Sequence, residues 1–182
     1  MDRRSNNIAI FQDSMDMIKA SQKLQQAVQL SIQNQKLYVP SQAIALPESG
    51  KSPCKTIVSS KRSFEAASAY AKSGKRVCVL NFASATNPGG GVTRGSTAQE
   101  ECLCRCSTLY PCLDTETMWH QFYQQHRKTG DPLYNDDLLY TPGVVIFKTD
   151  TSVPERMEEK DWYQVDIITC AAPNLRKNQA MP

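Results

Sequence analysis

The sequence predicts an α/β layered domain on a mixed sheet, with a helical extension at its N-terminus. Two observations carry this. RVCVLNFA (76–83) and VDIITCAA (165–172) are near-continuous apolar runs of strand length. Around them lie stretches with helical periodicity and helix start and stop signals, the alternation expected of such a domain. The 182 residues suffice for one domain with a real core and are too few for two ordinary ones.

In chain order, residues 16–37 set Ile18, Leu24, Val28 and Ile32 among glutamines, an amphipathic helical pattern. Tyr38 to Cys54, with Pro40, Pro47, Pro53 and Gly50, reads as an extended connection, so 1–53 forms the extension and its linker. KTIVSS (55–60) reads as a short strand. Ser63 caps the helix SFEAASAYAKSG, which Gly74 stops. RVCVLNFA follows as a central strand covered on both faces. Ser96 or Thr97 starts the next helix, because Ser96-x-x-Gln99 and Thr97-x-x-Glu100 both fit a capping box; it runs through ECLCRCSTLY to Pro111. Asp114 opens TETMWHQFYQQHRKT, which ends at Gly130. DPLYNDD is turn-like, LLYTPGVVIFK gives one or two strands broken at Pro142–Gly143, and SVPERMEEK is a polar surface loop. VDIITCAA is the last strand.

Composition narrows the function classes. Hydrophobic residues make up 40% and charged residues 21%, ordinary for a soluble globular protein. A net charge of +3 is too small to argue for a nucleic-acid surface and does not repel an anionic ligand. No apolar run reaches membrane-spanning length, and the N-terminus does not read as a secretory signal, so a cytoplasmic setting is expected. Cys102, Cys104 and Cys106 have C-x-C-x-C spacing, unlike the C-x-x-C pairs of zinc sites, and on a helix they point to different sides. The seven cysteines read as reduced thiols. His120 and His126, six apart, do not share a helix face and read as surface or partly packed residues. Trp119, Phe122 and Tyr123 read as core. Neither a Walker phosphate loop nor a G-x-G-x-x-G fingerprint is present.

The chemistry gathers in NPGGGVTRGSTAQEE (87–101), directly after RVCVLNFA, at the strand end where α/β sheets collect ligands. Gly89, Gly90 and Gly91 let a ligand approach the backbone, and their N–H groups can line a sugar or phosphate. Asn87 offers an amide donor and acceptor suited to ribose hydroxyls. Glu100 and Glu101 fall in the first turn of the following helix. Helical neighbours diverge by roughly 100°, so at most one of them aims squarely at a ligand. Spacing alone leaves this segment open between a flexible turn before a capped helix and the floor of a site.

The same residues resemble the signature of poly(ADP-ribose) glycohydrolases: Gly89-Gly90-Gly91, seven residues, then Gln99-Glu100-Glu101. VLNFASATNPGGGVTRGSTAQEECLCRCSTLYPCL, DPLYNDDLLYTPGVVIFK and VDIITCAAPN are similar to the microbial-type branch over at least 55–175. The resemblance implies a macrodomain fold, a three-layer α/β/α sandwich, with 54–182 its N-terminal and central part. It implies binding of ADP-ribose, hydrolysis of the ribose–ribose O-glycosidic bond of poly(ADP-ribose) on modified proteins, and no metal or cofactor, nucleic acid or membrane. By the resemblance Glu101 is the catalytic acid and Glu100 orients the ribose. Asn87, the Gly89–Gly91 loop, Val92 and Gln99 form the substrate wall. The family continues with a further helix, a strand and a second glycine-rich loop that this sequence does not contain. A complementary C-terminal fragment is therefore an expected partner, and uncovered sheet surface an expected consequence. Two other readings stand beside hydrolysis of the polymer: a non-catalytic ADP-ribose-binding module, against which the intact QEE speaks, and a hydrolase of mono-ADP-ribosylated protein.

Overall fold

A computed structural model describes residues 2–42, 54–171 and 173. Asp2 caps α1 (Arg3–Ala20): its carboxylate accepts from the N–H groups of Arg4 at 2.8 Å and Ser5 at 3.0 Å. Extended Ser21 ends that helix, and its hydroxyl caps α2 (Gln22–Gln33). The single helix expected from residue 16 is thus two helices beginning at Arg3, because a serine bonding the next turn interrupts the ladder. Ile18 and Leu24 nevertheless meet, in a small cluster with Val145 and Phe147.

Where the expected helix gives way to the expected linker, Lys36–Tyr38 forms β1, three residues that carry no periodicity signal. Residues 43–53 of the linker lie outside the described residues. KTIVSS is not a strand: Ile57 is 60% and Val58 93% exposed, and β-branched residues without a pairing partner make no ladder. α3 (Ser63–Ala71) takes Arg62 as its N-cap, with Ser63 already its first helical residue; Glu65 accepts from the Arg62 N–H at 3.3 Å. Gly74 follows at φ +80°.

Four strands form one mixed sheet in the order β1-β3-β4-β2. β2 (Cys78–Ala83) runs parallel to β4 (Tyr163–Ala171), while β3 (Leu138–Ile146) is antiparallel to both β1 and β4. β3 is a single strand, bulged between Thr141 and Val144 where the sequence marks Pro142–Gly143. β2 is not covered on both faces. Val79, Asn81 and Ala83 are buried, whereas Leu80 and Phe82 are 46% and 58% exposed, and β2 is an edge strand among the described residues.

The helices after β2 depart from the simple reading. α4 (Gln99–Cys106) has Ala98 at its N-cap and no side-chain cap, because the Gln99 and Glu100 side chains reach β2 and its end instead. It stops at extended Ser107, which bridges to Ile146, while Thr108 donates its N–H to the Val145 carbonyl at 3.0 Å. α5 (Leu109–Leu113) then carries Pro111 in its first turn, where a missing N–H costs little. Thr115, not Asp114, caps the next helical run, its hydroxyl accepting from Met118 N–H at 3.2 Å. That run comprises α6 (Glu116–Met118), a π-helical turn (Trp119–Tyr123) and α7 (Gln124–Thr129), and Gly130 at φ +64° ends it as expected.

Val79, Leu139, Val144, Ile146, Val165 and Ile167 of the sheet pack against Leu103, Leu109, Leu113, Phe122 and Tyr123. Phe122 and Tyr123 are therefore core, with Trp119 partly buried against it. His120 is exposed. His126 is buried between Phe122 and Tyr134, 3.7 Å from Asp137, deeper than the surface or partly packed position expected of it. All seven cysteines are free thiols. Cys104 and Cys106 lie in the core, and Cys102 faces Arg62 and Arg105.

Candidate active site

β2 ends at Ala83, the chain turns through Ser84–Asn87, and the three glycines double back over the first turn of α4. Gly89 and Gly90 sit at φ +62° and +58°, a conformation other residues reach only with strain. Gly90 donates to the Asn87 carbonyl at 3.0 Å and Val92 to that of Gly89 at 3.1 Å, which closes the loop on itself. A Cβ on Gly90 would stand 2.6 Å from Glu101 Oε1 and 3.0 Å from Glu100 Oε2. Both carboxylates thus converge beneath one glycine, although their backbone directions diverge. Long side chains close the angular gap.

Their partners differ. Glu101 Oε1 accepts the Gly91 N–H at 2.9 Å, and Oε2 is buried with no hydrogen-bond partner. Glu100 Oε2 accepts the Ser84 N–H at 2.8 Å, and Oε1 faces Asn81 Nδ2 at 3.4 Å. Burial pushes the Glu100 carboxyl up to about 7, against the pull of the Ser84 and Asn81 donors and with help from the Glu101 charge. The Glu100 carboxyl therefore keeps its proton up to about neutral pH.

Glu100 binds its proton more tightly folded than unfolded, where its ordinary value is 4.5. Stability therefore falls as pH rises from about 4.5 to about 7 and levels off above, by on the order of 3 kcal/mol from this group. Denaturant unfolding at pH 5 and pH 8 is expected to show the fall, and Glu100→Gln to remove it.

Around this pair lie the other residues singled out by sequence. Asn87 borders the loop; its Oδ1 accepts from Arg127 Nη2 at 2.7 Å, and Arg127 Nε donates to the Thr86 carbonyl at 2.7 Å. Val92 is buried in the core, and its Cγ1 borders the loop, 3.1 Å from where a Cβ on Gly89 would stand. Gln99 is turned away from the carboxylates. Its amide accepts the Phe82 N–H at 3.0 Å and donates to the Leu80 carbonyl at 2.7 Å, clamping the outer edge of β2. That placement sets its side chain against β2 and α3, where it also bonds Ser63 Oγ at 3.2 Å. Sequence reasoning missed Asn81, Ser84, Tyr110 and Arg127. Asn81 alone leaves a signal, a polar residue inside an apolar strand; it is fully buried and also bonds Thr169 on β4 at 3.2 Å. Tyr110 packs on Gly89, where a Cβ would lie 2.7 Å from its ring.

A glycine loop folded over buried carboxylates, at the end of a parallel strand in a mixed sheet, defines an α/β domain of the macrodomain-like class. The chain belongs to a family within it: residues 9–149 match the microbial-type PARG catalytic domain. It is 31% identical to the poly(ADP-ribose) glycohydrolase of Thermomonospora curvata, with a TM-score of 0.83 over 98% of this chain and 68% of that one. The same enzyme bound to the inhibitor ADP-HPD aligns at 30% identity and a TM-score of 0.73, over 98% of this chain and 67% of that one. The poly(ADP-ribose) glycohydrolase of Deinococcus radiodurans in complex with ADP-ribose aligns at 32% and 0.71, over 84% of this chain and 61% of that one. No curated protein matches the chain.

Proposed function

We propose that this chain carries the carboxylates of a poly(ADP-ribose) glycohydrolase site and cleaves the ribose–ribose O-glycosidic bond, releasing ADP-ribose. One observation carries the reading. Glu101 is oriented through one oxygen by the Gly91 N–H, while its other oxygen is buried, unpartnered and beneath a loop built for close approach. Glu101 protonates the leaving ribose oxygen as the glycosidic C–O bond breaks. It then takes a proton from the water whose oxygen bonds to the sugar carbon, and so regains its starting state. Glu100, held by Ser84 and Asn81, fixes the sugar beside it. Loop N–H groups and Asn87 face the ribose and diphosphate. The test is incubation of the purified protein with labelled poly(ADP-ribose): free ADP-ribose is the expected product, and an unchanged polymer at stoichiometric protein counts against the reading.

Arg127 holds the Asn87 amide, so Arg127→Ala is expected to weaken ADP-ribose binding about tenfold by titration calorimetry. The guanidinium also stacks on Trp119, 4.8 Å from the ring centre, and Arg127→Lys is expected to recover little because the fork is lost. The same proposal includes a reducing, cytoplasmic setting, which the free thiols fit.

A further inference from the structure

The buried stripe of α1 is unusual. It comprises Asn7, Phe11, Ser14 and Ile18, and two of these four are polar. A helix packed only for stability buries apolar side chains, since a buried amide costs free energy unless it is bonded. Asparagine is also a poor residue for a helix interior. Both polar groups reach backbone around the carboxylates. Ser14 Oγ donates to the Arg105 carbonyl on α4 at 2.6 Å. Asn7, 4% exposed, donates from Nδ2 to the Gly95 carbonyl at 3.1 Å.

Gly95 ends the turn that anchors the glycine loop. Val92–Arg94 is a single 3-10 turn, closed by Gly95 at φ +75°. From that turn, Ser96 and Arg94 return their N–H groups to the Gly91 carbonyl at 3.1 and 2.9 Å. Gly91 in turn orients Glu101. Arg4 adds a second tie, Nε to the Arg94 carbonyl at 2.7 Å, and its own backbone lies where a Cβ on Gly95 would go. At the other end of the loop, Phe11 packs edge-on against Tyr110 with ring centres 4.9 Å apart, and Tyr110 abuts Gly89. The helix itself is pinned, with buried Lys148 bonding the Ile10 carbonyl and pairing with Asp13. So α1 holds both ends of the loop that aims Glu101. Asn7 and Arg4 precede residue 9, where the family match begins.

We infer that Asn7 and Arg4 are positioning residues for the reaction: they hold the Val92–Gly95 turn, and through it the Gly91 N–H that orients Glu101. The inference rests on the glycohydrolase reading for its catalytic arm but not for its structural one. Asn7→Ala is expected to raise amide hydrogen exchange at Gly91 at least tenfold relative to β4 amides, and to lower kcat about tenfold with KM within twofold. Arg4→Met, at an exposed residue that does not threaten folding, is expected to raise Gly91 exchange about threefold. Ile167→Val, trimming a core residue of β4, provides the control for stability alone: it lowers the melting temperature and leaves Gly91 exchange relative to β4 unchanged. Unaltered Gly91 protection in both α1 variants overturns the inference. So does a kcat loss in Asn7→Ala no larger than in Ile167→Val. A wild-type protein without turnover sinks the proposed function instead, and leaves the exchange comparison to decide the role of α1.

Discussion

Glu101→Gln is expected to lower poly(ADP-ribose) turnover by roughly 10³-fold while leaving ADP-ribose affinity within a few-fold of wild type. The carboxamide keeps the side chain's length and still offers an oxygen to the Gly91 N–H, which donates at 2.9 Å in the native site. The loop therefore stays in place and the ligand wall is intact. What disappears is the proton: an amide can neither donate one to the leaving oxygen nor take one from water. Single-turnover cleavage of labelled polymer, with calorimetric binding of ADP-ribose, separates the two effects. A variant that retained even a tenth of wild-type turnover would remove Glu101 from the chemistry. Turnover and binding lost together would mean that the substitution had displaced the loop.

The second large effect is expected at Gly90. Alanine there combines two penalties. At φ +58° an L-residue carries strain of about 1–2 kcal/mol. Its methyl would also press on Glu101 Oε1 and Glu100 Oε2, at 2.6 and 3.0 Å. Those atoms are ends of side chains and can yield, but yielding breaks the geometry that aligns the pair. Gly90→Ala is thus expected to cost at least about 100-fold in kcat, with a stability loss of only a few kcal/mol. Gly74→Ala isolates the strain, since Gly74 lies at φ +80° and a methyl there would meet no atom within 4 Å. It should cost stability alone. If the two variants kept equal turnover, the crowding beneath the loop would be irrelevant to catalysis.

Much of this arrangement was legible in the residues, and the reasons it was legible are local. The runs that became β2, β3 and β4 are apolar at strand length, and Gly130 is a stop signal that needs no tertiary context. The first-turn position of Glu100 and Glu101 followed from the start of α4 alone. What escaped depends on contacts between distant segments. The helix through ECLCRCSTLY breaks at Ser107 because Ser107 and Thr108 bond β3, and nothing nearby in the chain announces that. KTIVSS has strand composition and no partner. The capping boxes at Ser96 and Thr97 failed because Gln99 and Glu100 had better acceptors and donors on and just beyond β2. Arg127 reached Asn87 from a helix some forty positions on, which no spacing rule could foresee.

Three consecutive residues at the start of α4 each grip a different stretch of backbone. Gln99 takes the edge of β2 at Leu80 and Phe82, Glu100 takes Ser84 just past the strand, and Glu101 takes Gly91 in the loop. The helix turn thereby works as a ruler laid against the strand and its exit. The distance along the chain from Leu80 to Gly91 is gauged by three side chains at once, so a residue inserted or deleted there would throw at least one grip out of step. The stretch from Val92 to Ala98 carries no such gauge on α4's first turn. Since α1 holds the Val92–Gly95 turn and Ser96 bonds the Gly91 carbonyl, changes in loop length compatible with an active pair should be confined to Thr97 and Ala98, and the row of N–H and C=O groups that an edge strand leaves open is meanwhile partly occupied by Gln99.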